Sequence, residues 1–425
     1  MNEQLYEIVK YARENVPFYR NLYNERNVDV RMFQDIEYFT RNFRGLPIVQ
    51  KDLYIETDYL TISDQCHDDL KKKRLISVPT SGSTGKCLKV YWNQSDYRKS
   101  LLPLWMLRKK RYGITPKDKA CFFFTNQYVD NCVDICGDII INENHMLISK
   151  SNWNESRLKT ILHEMIKFEP KWMILQPSIA QLLCIYIEKN NIKFPNSLKY
   201  IESSGEILSL SVRNTIKKTF KCLVFDQYGT NEVNAIAYEC RCGNMHVLKN
   251  CNHVEILNNN ATCMYGEEGN IYVTSLSNFA MPFIRYETGD TGVLLPSNQC
   301  ECGCDSPILK LTNGRNNDLV FNKDGTKIHS YIFVKVIEII NDITDDMIKQ
   351  FQVVQKSYEY FVVKLVIVND SELNEVEKSM ICKLFLDNLS QSTLSGSQFV
   401  FEFNDTLLPS ETTGKLRYFI NEIIQ

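Results

Sequence analysis

Two clusters of residues in this chain have the types and spacing to do chemistry: a hydroxyl-rich loop ending in a lysine, and a pair of short cysteine runs. The loop lies within VPTSGSTGKCLKVYW, Val78 to Trp92. Thr80, Ser81, Ser83 and Thr84 offer hydroxyls, Gly82 and Gly85 let the backbone come close, and Lys86 adds charge. These are the parts needed to wrap a phosphate tail in backbone N–H groups. A nucleotide P-loop requires G-x-x-x-x-G-K-[ST] on a strand-to-helix turn. Here two residues separate the glycines, and Cys87 follows the lysine. The next residues, CLKVYW, have strand character, so phosphate binding on a helix N-terminus is ruled out. The spacing predicts a strand–loop–strand hairpin. The cysteine runs are CRCGNMH (Cys240 to His246) and CECGC (Cys300 to Cys304), which share a Cys-x-Cys-Gly pattern. Thiolates in glycine-bearing turns of a reducing-compartment protein read as a tetrahedral zinc site.

The elements that must position these groups follow from periodicity. The first 75 residues read as helices and turns, closed by LPIVQKDL (Leu46 to Leu53). From Leu75 to about Thr230, short apolar runs such as CFFF and WMIL alternate with helical patterns such as ESRLKTILHEMIKF and IAQLLCIYIEKN. That alternation predicts an α/β layer with strands buried on both faces. Between His246 and Val320 the pattern changes to turn-separated strands, which predicts an antiparallel, β-rich subdomain. After Gly314–Val320 the order becomes β, α, β, β, α, β, a compact α+β unit of split-βαβ type. We therefore expect an N-terminal domain over 1–317 and a small mobile α+β domain over 318–425.

Bulk properties limit the partners. The chain has 425 residues, 44% of them hydrophobic, enough for more than one domain. A net charge of −2 gives no general attraction to nucleic acid or anionic membrane. No apolar run reaches the length of a membrane span, and MNEQLYEIVKYARENVPFYR lacks a signal-peptide core. A cytoplasmic enzyme is expected. Most of the fifteen cysteines read as buried small hydrophobes.

TSGSTGK resembles the signature loop of the adenylate-forming superfamily of acyl-coenzyme A synthetases, peptide-synthetase adenylation domains and luciferases. QYGTNE (Gln227 to Glu232), YETGD (Tyr286 to Asp290), GRNND (Gly314 to Asp318) and LPSETTGKLR (Leu408 to Arg417) resemble its later motifs, in the same order. VPFYR, LPIVQKDL, SSGE (Ser203 to Glu206) and FQVVQ resemble the phenylacetate–coenzyme A ligase branch and its capsule-biosynthesis relatives.

The resemblance implies a two-step reaction. A carboxylate attacks the α-phosphorus of ATP, and a thiol then displaces AMP. The loop Thr80–Lys86 would hold the β- and γ-phosphates, and Glu232 would hold Mg²⁺. Ser204, Gly205, Glu206, Gln227, Tyr228, Gly229, Thr230, Asp290 and Arg315 would bind the nucleotide, with Tyr228 against adenine and Asp290 on the ribose. Lys415 would bridge the attacking carboxylate and the α-phosphate, and Asp318 would be the hinge that lets the last domain rotate between steps. Phe123, Phe124, Tyr128, Ala235 and Ile236 would wall the acid pocket, favouring an aryl or apolar acid. Zinc would be structural, held by Cys240, His246, Cys300 and Cys302, with Cys242 and Cys304 as reserves. The implied partners are a small carboxylic acid and coenzyme A; a homodimer is compatible with this reading. Two alternatives stand beside it: an adenylating enzyme that loads a carrier-protein thiol or an amine, and a non-catalytic nucleotide-binding homologue.

Overall fold

The computed structural model describes residues 3–80, 88–124, 139–150, 153–313, 319–322, 324–367, 374–390, 392–410 and 415–423. They fall into two compact units that interleave along the chain, one drawn from 1–116 and 227–312, the other from 117–226 and 313–425. Among the described residues, no helix is long and apolar enough to cross a membrane.

The first unit opens with two helices, Glu3–Asn15 and Pro17–Glu25. Leu5, Ile8, Val9 and Ala12 recur at helical spacing and are all fully buried, so one face of the first helix lies on the core. An antiparallel hairpin pairs Ile76–Pro79 with Lys89–Trp92, as the loop's spacing predicted. The second half of this unit is the expected antiparallel sheet. Asn252–Asn258 pairs with Glu268–Ser275, which pairs in turn with Tyr286–Leu295. Met245–Val247 pairs with Asn234–Glu239, and Asn234–Glu239 with the end of Leu223–Thr230.

LPIVQKDL proves to be a clip. Val49 donates to the carbonyl of Arg285 (3.0 Å), and Glu287 donates back to Val49 (2.9 Å). The Arg285 side chain is buried and forks onto Glu255 at 3.0 and 3.2 Å, while its remaining nitrogen donates to the carbonyls of Arg44 and Leu46. A buried pair of this kind is favoured when its charges are well hydrogen-bonded, and here each of the three guanidinium nitrogens has an acceptor. The clip therefore fixes the start of the Tyr286–Leu295 strand.

In the second unit, Tyr200–Ser204, Trp172–Leu175, Ala120–Phe124 and His145–Ser149 run parallel, with Ile139–Ile141 antiparallel at the edge. The expected alternation of strands and helices is present. Helix Glu155–Phe168 is capped by the Asn154 side chain. Helix Pro177–Lys189 begins on a proline, which its first turn tolerates, and is buried almost all round. Register pairs Phe124 with Ser149, Phe122 with Ile174, and Leu175 with Ser203, so these strands end at a common carboxyl edge. Such an edge is where open parallel sheets bind ligands.

The last segment has the predicted order, with helices Tyr331–Thr344 and Glu375–Leu389 and a sheet ordered Gln398–Phe403, Tyr360–Ile367, Ile348–Ser357, Phe419–Asn421. Its core is a stack of Phe333, Phe361, Phe385, Phe399 and Phe419, with Phe361 and Phe399 centred 4.9 Å apart. The three-residue strand Phe419–Asn421 was not expected; it pairs parallel to Ile348–Ser357. Asp318 lies outside the described residues.

Candidate functional site

Three groups of predicted residues are brought together, two in the first unit and one in the second. At the base of the hairpin, Thr80 closes the loop. Its N–H donates to the Leu88 carbonyl (2.8 Å), and its hydroxyl accepts from the Leu88 N–H (2.9 Å). The Lys51 ammonium also reaches that hydroxyl at 2.8 Å, which puts a cation from the clip at the neck of the loop. Ser81, Gly82, Ser83, Thr84, Gly85 and Lys86 lie outside the described residues, as do Tyr128, Arg315 and the Phe124 side chain.

Nearby in the same unit, Glu232 is buried and accepts a hydrogen bond from the Tyr286 hydroxyl (2.9 Å). Tyr286 is itself locked edge-on against Tyr54 and Phe283. The hydroxyl of Tyr228 donates to Asp290 Oδ2 at 2.7 Å, so two residues predicted to bind different parts of a nucleotide touch each other. Gly229 sits at a register shift beside Tyr228, where a Cβ would come within 2.5 Å of the Asn234 carbonyl. Gln227 and Thr230 are half-buried on the same strand. Ala235 and Ile236 are fully buried, with Ile236 inside the main core cluster. Phe123 likewise belongs to the core of the second unit, stacked near Trp153.

In the second unit, Ser204, Gly205 and Glu206 leave the strand Tyr200–Ser204 at the carboxyl edge. Lys415 reaches this point: its Nζ lies 3.9 Å from where a Cβ on Gly205 would stand, and Gln176 Cγ lies 3.7 Å from it. The Glu206 carboxylate accepts from the Ser178 N–H (2.9 Å), the Ser178 hydroxyl (2.9 Å) and the Leu416 N–H (3.2 Å). Burial raises the Glu206 carboxyl above the usual range, and the Ser178 donors and Lys415 work against that rise. Lys150 follows the parallel strand His145–Ser149. Burial brings its ammonium down to about 8; Glu206 opposes that shift and Lys415 adds to it. Gln176 Oε1 and Ser203 Oγ are buried there with no hydrogen-bond partner among the described residues.

The third group is a candidate metal centre. The ligand atoms of Cys240, His246, Cys300 and Cys302 all lie within 4.8 Å of one another. Cys240 Sγ is 3.5 Å from Cys300 Sγ, and Cys302 Sγ is 3.3 Å from His246 Nε2. Tetrahedral zinc, with Zn–S of about 2.3 Å and Zn–N of about 2.0 Å, would set those edges near 3.8 and 3.5 Å, so the cluster is already close to ligating size. His246 Nδ1 lies 2.8 Å from the Ser306 carbonyl. That bond holds the proton on Nδ1 and leaves the Nε2 lone pair for a metal.

The Cys-x-Cys spacing gains a physical reason. Cys242 N–H donates to Cys240 Sγ and Cys304 N–H to Cys302 Sγ, each at 3.4 Å. Gly243 and Gly303 then take φ of +78° and +79°, turning the chain away. Cys242 and Cys304 thus contribute their N–H groups, and their sulfurs stand outside the cluster. Burial works against ionisation of Cys300, but hydrogen-bond donors, the Cys302 N–H first, outweigh it and bring the thiol down to about 6.

Sequence reasoning named Lys415, Glu206, Glu232, Tyr228, Asp290 and the four metal ligands. It missed Lys51, Lys150, Ser178 and the role of Tyr286. Lys51 and Tyr286 lay within quoted motifs, but nothing in the sequence tells which neighbour a motif residue touches.

The fold is similar to that of solved coenzyme A ligases. A family model described as the CapK C-terminal domain matches residues 320–422. The chain is 24% identical to Protein CapK of Staphylococcus aureus over 446 residues, covering 99% of this chain and 88% of that one. It is also 24% identical to phenylacetate-coenzyme A ligase of Thermus thermophilus over 341 residues, covering 75% and 70%. Among solved structures, 2-hydroxyisobutyryl-CoA ligase in the postadenylation state with 2-HIB-AMP has a TM-score of 0.76 at 16% identity, over 99% of this chain and 88% of that chain.

Proposed function

We propose that this protein is an ATP-dependent acid–thiol ligase. A carboxylate oxygen attacks the α-phosphorus, the bond to the β-phosphate breaks, and pyrophosphate leaves. A thiolate then attacks the acyl carbon of the adenylate, the bond to AMP breaks, and AMP leaves. The observation that carries the reading is the position of Lys415 beside Gly205, at the carboxyl edge of the parallel strands. An ammonium there would screen the repulsion between two anions that must meet in line.

The roles assigned from the sequence form part of the proposal. Residues 80–86 hold the phosphates, Tyr228 and Asp290 the nucleoside, and residues around Asp318 the hinge. Glu232, oriented by Tyr286, would hold Mg²⁺, which neutralises charge on the phosphates when bound. The cysteine–histidine cluster would hold a structural zinc: four protein ligands leave no open position for a substrate.

Coenzyme A is the first acceptor to test. The match of residues 320–422 to a CapK domain favours testing a carrier-protein thiol or an amine second, because that segment would present the acceptor in step two. ATP–pyrophosphate exchange with a panel of acids, aryl and apolar ones first, tests the enzyme. Acid-dependent exchange, followed by AMP release on adding coenzyme A, is expected. ATP binding with no exchange for any acid would refute catalysis and leave a nucleotide-binding homologue.

A further inference from the structure

Glu206 is a half-buried carboxylate whose contacts resemble a catch more than a ligand site. It receives one backbone N–H and one hydroxyl from Ser178, at the start of helix Pro177–Lys189, and one N–H from Leu416. A negative charge at a helix N-terminus is stabilised by the unpaired N–H groups and the dipole there. The carboxylate is therefore anchored on the sheet side and offers its remaining capacity to the tail. Leu416 directly follows Lys415, and the Lys415 carbonyl accepts from the Ser410 N–H at 2.9 Å. Holding the 416 N–H thus fixes where the 415 side chain leaves the backbone, and that side chain lies over Gly205. The cations facing Glu206 are Lys415 from the tail and Lys150 from the end of strand His145–Ser149.

We propose that Glu206 is the positioning residue for Lys415. It holds the lysine segment in place for adenylate formation through the Leu416 N–H, and this contact opens before the thiol attacks. The inference rests on the two-step reading above, but its first test does not. Hydrogen bonds to charged acceptors are stronger than neutral ones, so loss of this one should be large locally. A carboxamide matches the shape of the carboxylate but has one acceptor oxygen for donors that approach both Glu206 oxygens.

The first test is hydrogen exchange on the full chain without substrates. In Glu206→Gln, the Leu416 amide should exchange about tenfold to a hundredfold faster than in the wild type. Amides of strand Ile348–Ser357 should be unchanged, which reports that the fold persists. Ser178→Ala keeps the charge and removes one anchoring bond; it should shift the same amide by less. The second test uses an acid found by exchange. Glu206→Gln should slow pyrophosphate exchange at least about tenfold and spare thioester formation from supplied adenylate. Equal exchange of Leu416 in wild type and both variants would overturn the proposal, as would equal loss of both half-reactions. If the wild type turns over no acid, the ligase reading fails, and the amide result alone decides whether Glu206 holds the tail.

Discussion

Stripping zinc from the cluster of Cys240, His246, Cys300 and Cys302 should lower the melting temperature by about 8–16 °C. The figure follows from the geometry. Cys240 and Cys300 are 60 residues apart in sequence, and their sulfurs are 3.5 Å apart in space. A bridge across a loop of that length restricts the unfolded chain by about 4 kcal/mol in the chain-entropy treatment. A unit of this size loses about 2–4 °C per kcal/mol. Zinc that stays on unfolded thiols would reduce the effect, so a strong chelator should be present throughout the scan. The assay is elemental analysis of protein grown with ample zinc, then melting before chelation, after it, and after zinc is restored. Cys302→Ser should lose the metal and melt like the stripped protein. Cys242→Ser should keep it, because that sulfur lies outside the cluster. Zinc below about a tenth of an equivalent per chain would refute the reasoning. So would a melting temperature indifferent to chelation, or equal metal loss in both variants.

Tyr286→Phe keeps the ring against Tyr54 and Phe283 but removes the donor to Glu232; Mg²⁺-dependent ATP binding should weaken roughly fivefold to a hundredfold, read by Mg²⁺ titration. Lys415→Ala should cut adenylate formation by more than about a hundredfold and leave thioester formation from supplied adenylate intact; equal losses would remove the lysine from its role. His253 gives a pH signature: burial, with Arg285 and Arg44, lowers its imidazole to about 4 from 6.5. As pH falls below 6.5 the unfolded chain takes up this proton first, so stability falls through the window down to pH 4, by about 3 kcal/mol at most. His253→Gln should flatten that slope in urea titrations at pH 7.5 and 4.5.

Elements set by local pattern were legible in the sequence. Helix Glu155–Phe168, the strand–loop–strand hairpin and the alternating α+β order after Val320 all follow from periodicity and turn chemistry. Phe419–Asn421 was not, because three residues carry no period and its pairing partner lies far away in sequence. The four metal ligands were readable from the resemblance, but that Cys242 and Cys304 supply N–H groups and not sulfur depends on directions that only the folded turns fix. Phe123 and Ile236 show the converse. Apolar type suits a pocket wall and a core equally, and both side chains are buried in core clusters. Lys51, and the hold of Glu206 on the Leu416 N–H, were hidden for a third reason: these contacts join segments 29 and 210 residues apart.

The bond between Tyr228 and Asp290 has a consequence for how a nucleotide would be selected. The aromatic face and the carboxylate share a proton bridge, so neither can shift without dragging the other. Base preference and sugar preference would then be inherited as one trait. A change that relaxes discrimination at the purine should loosen discrimination at the pentose in the same stroke, and cycles of single and double substitutions at 228 and 290 should show strong non-additivity.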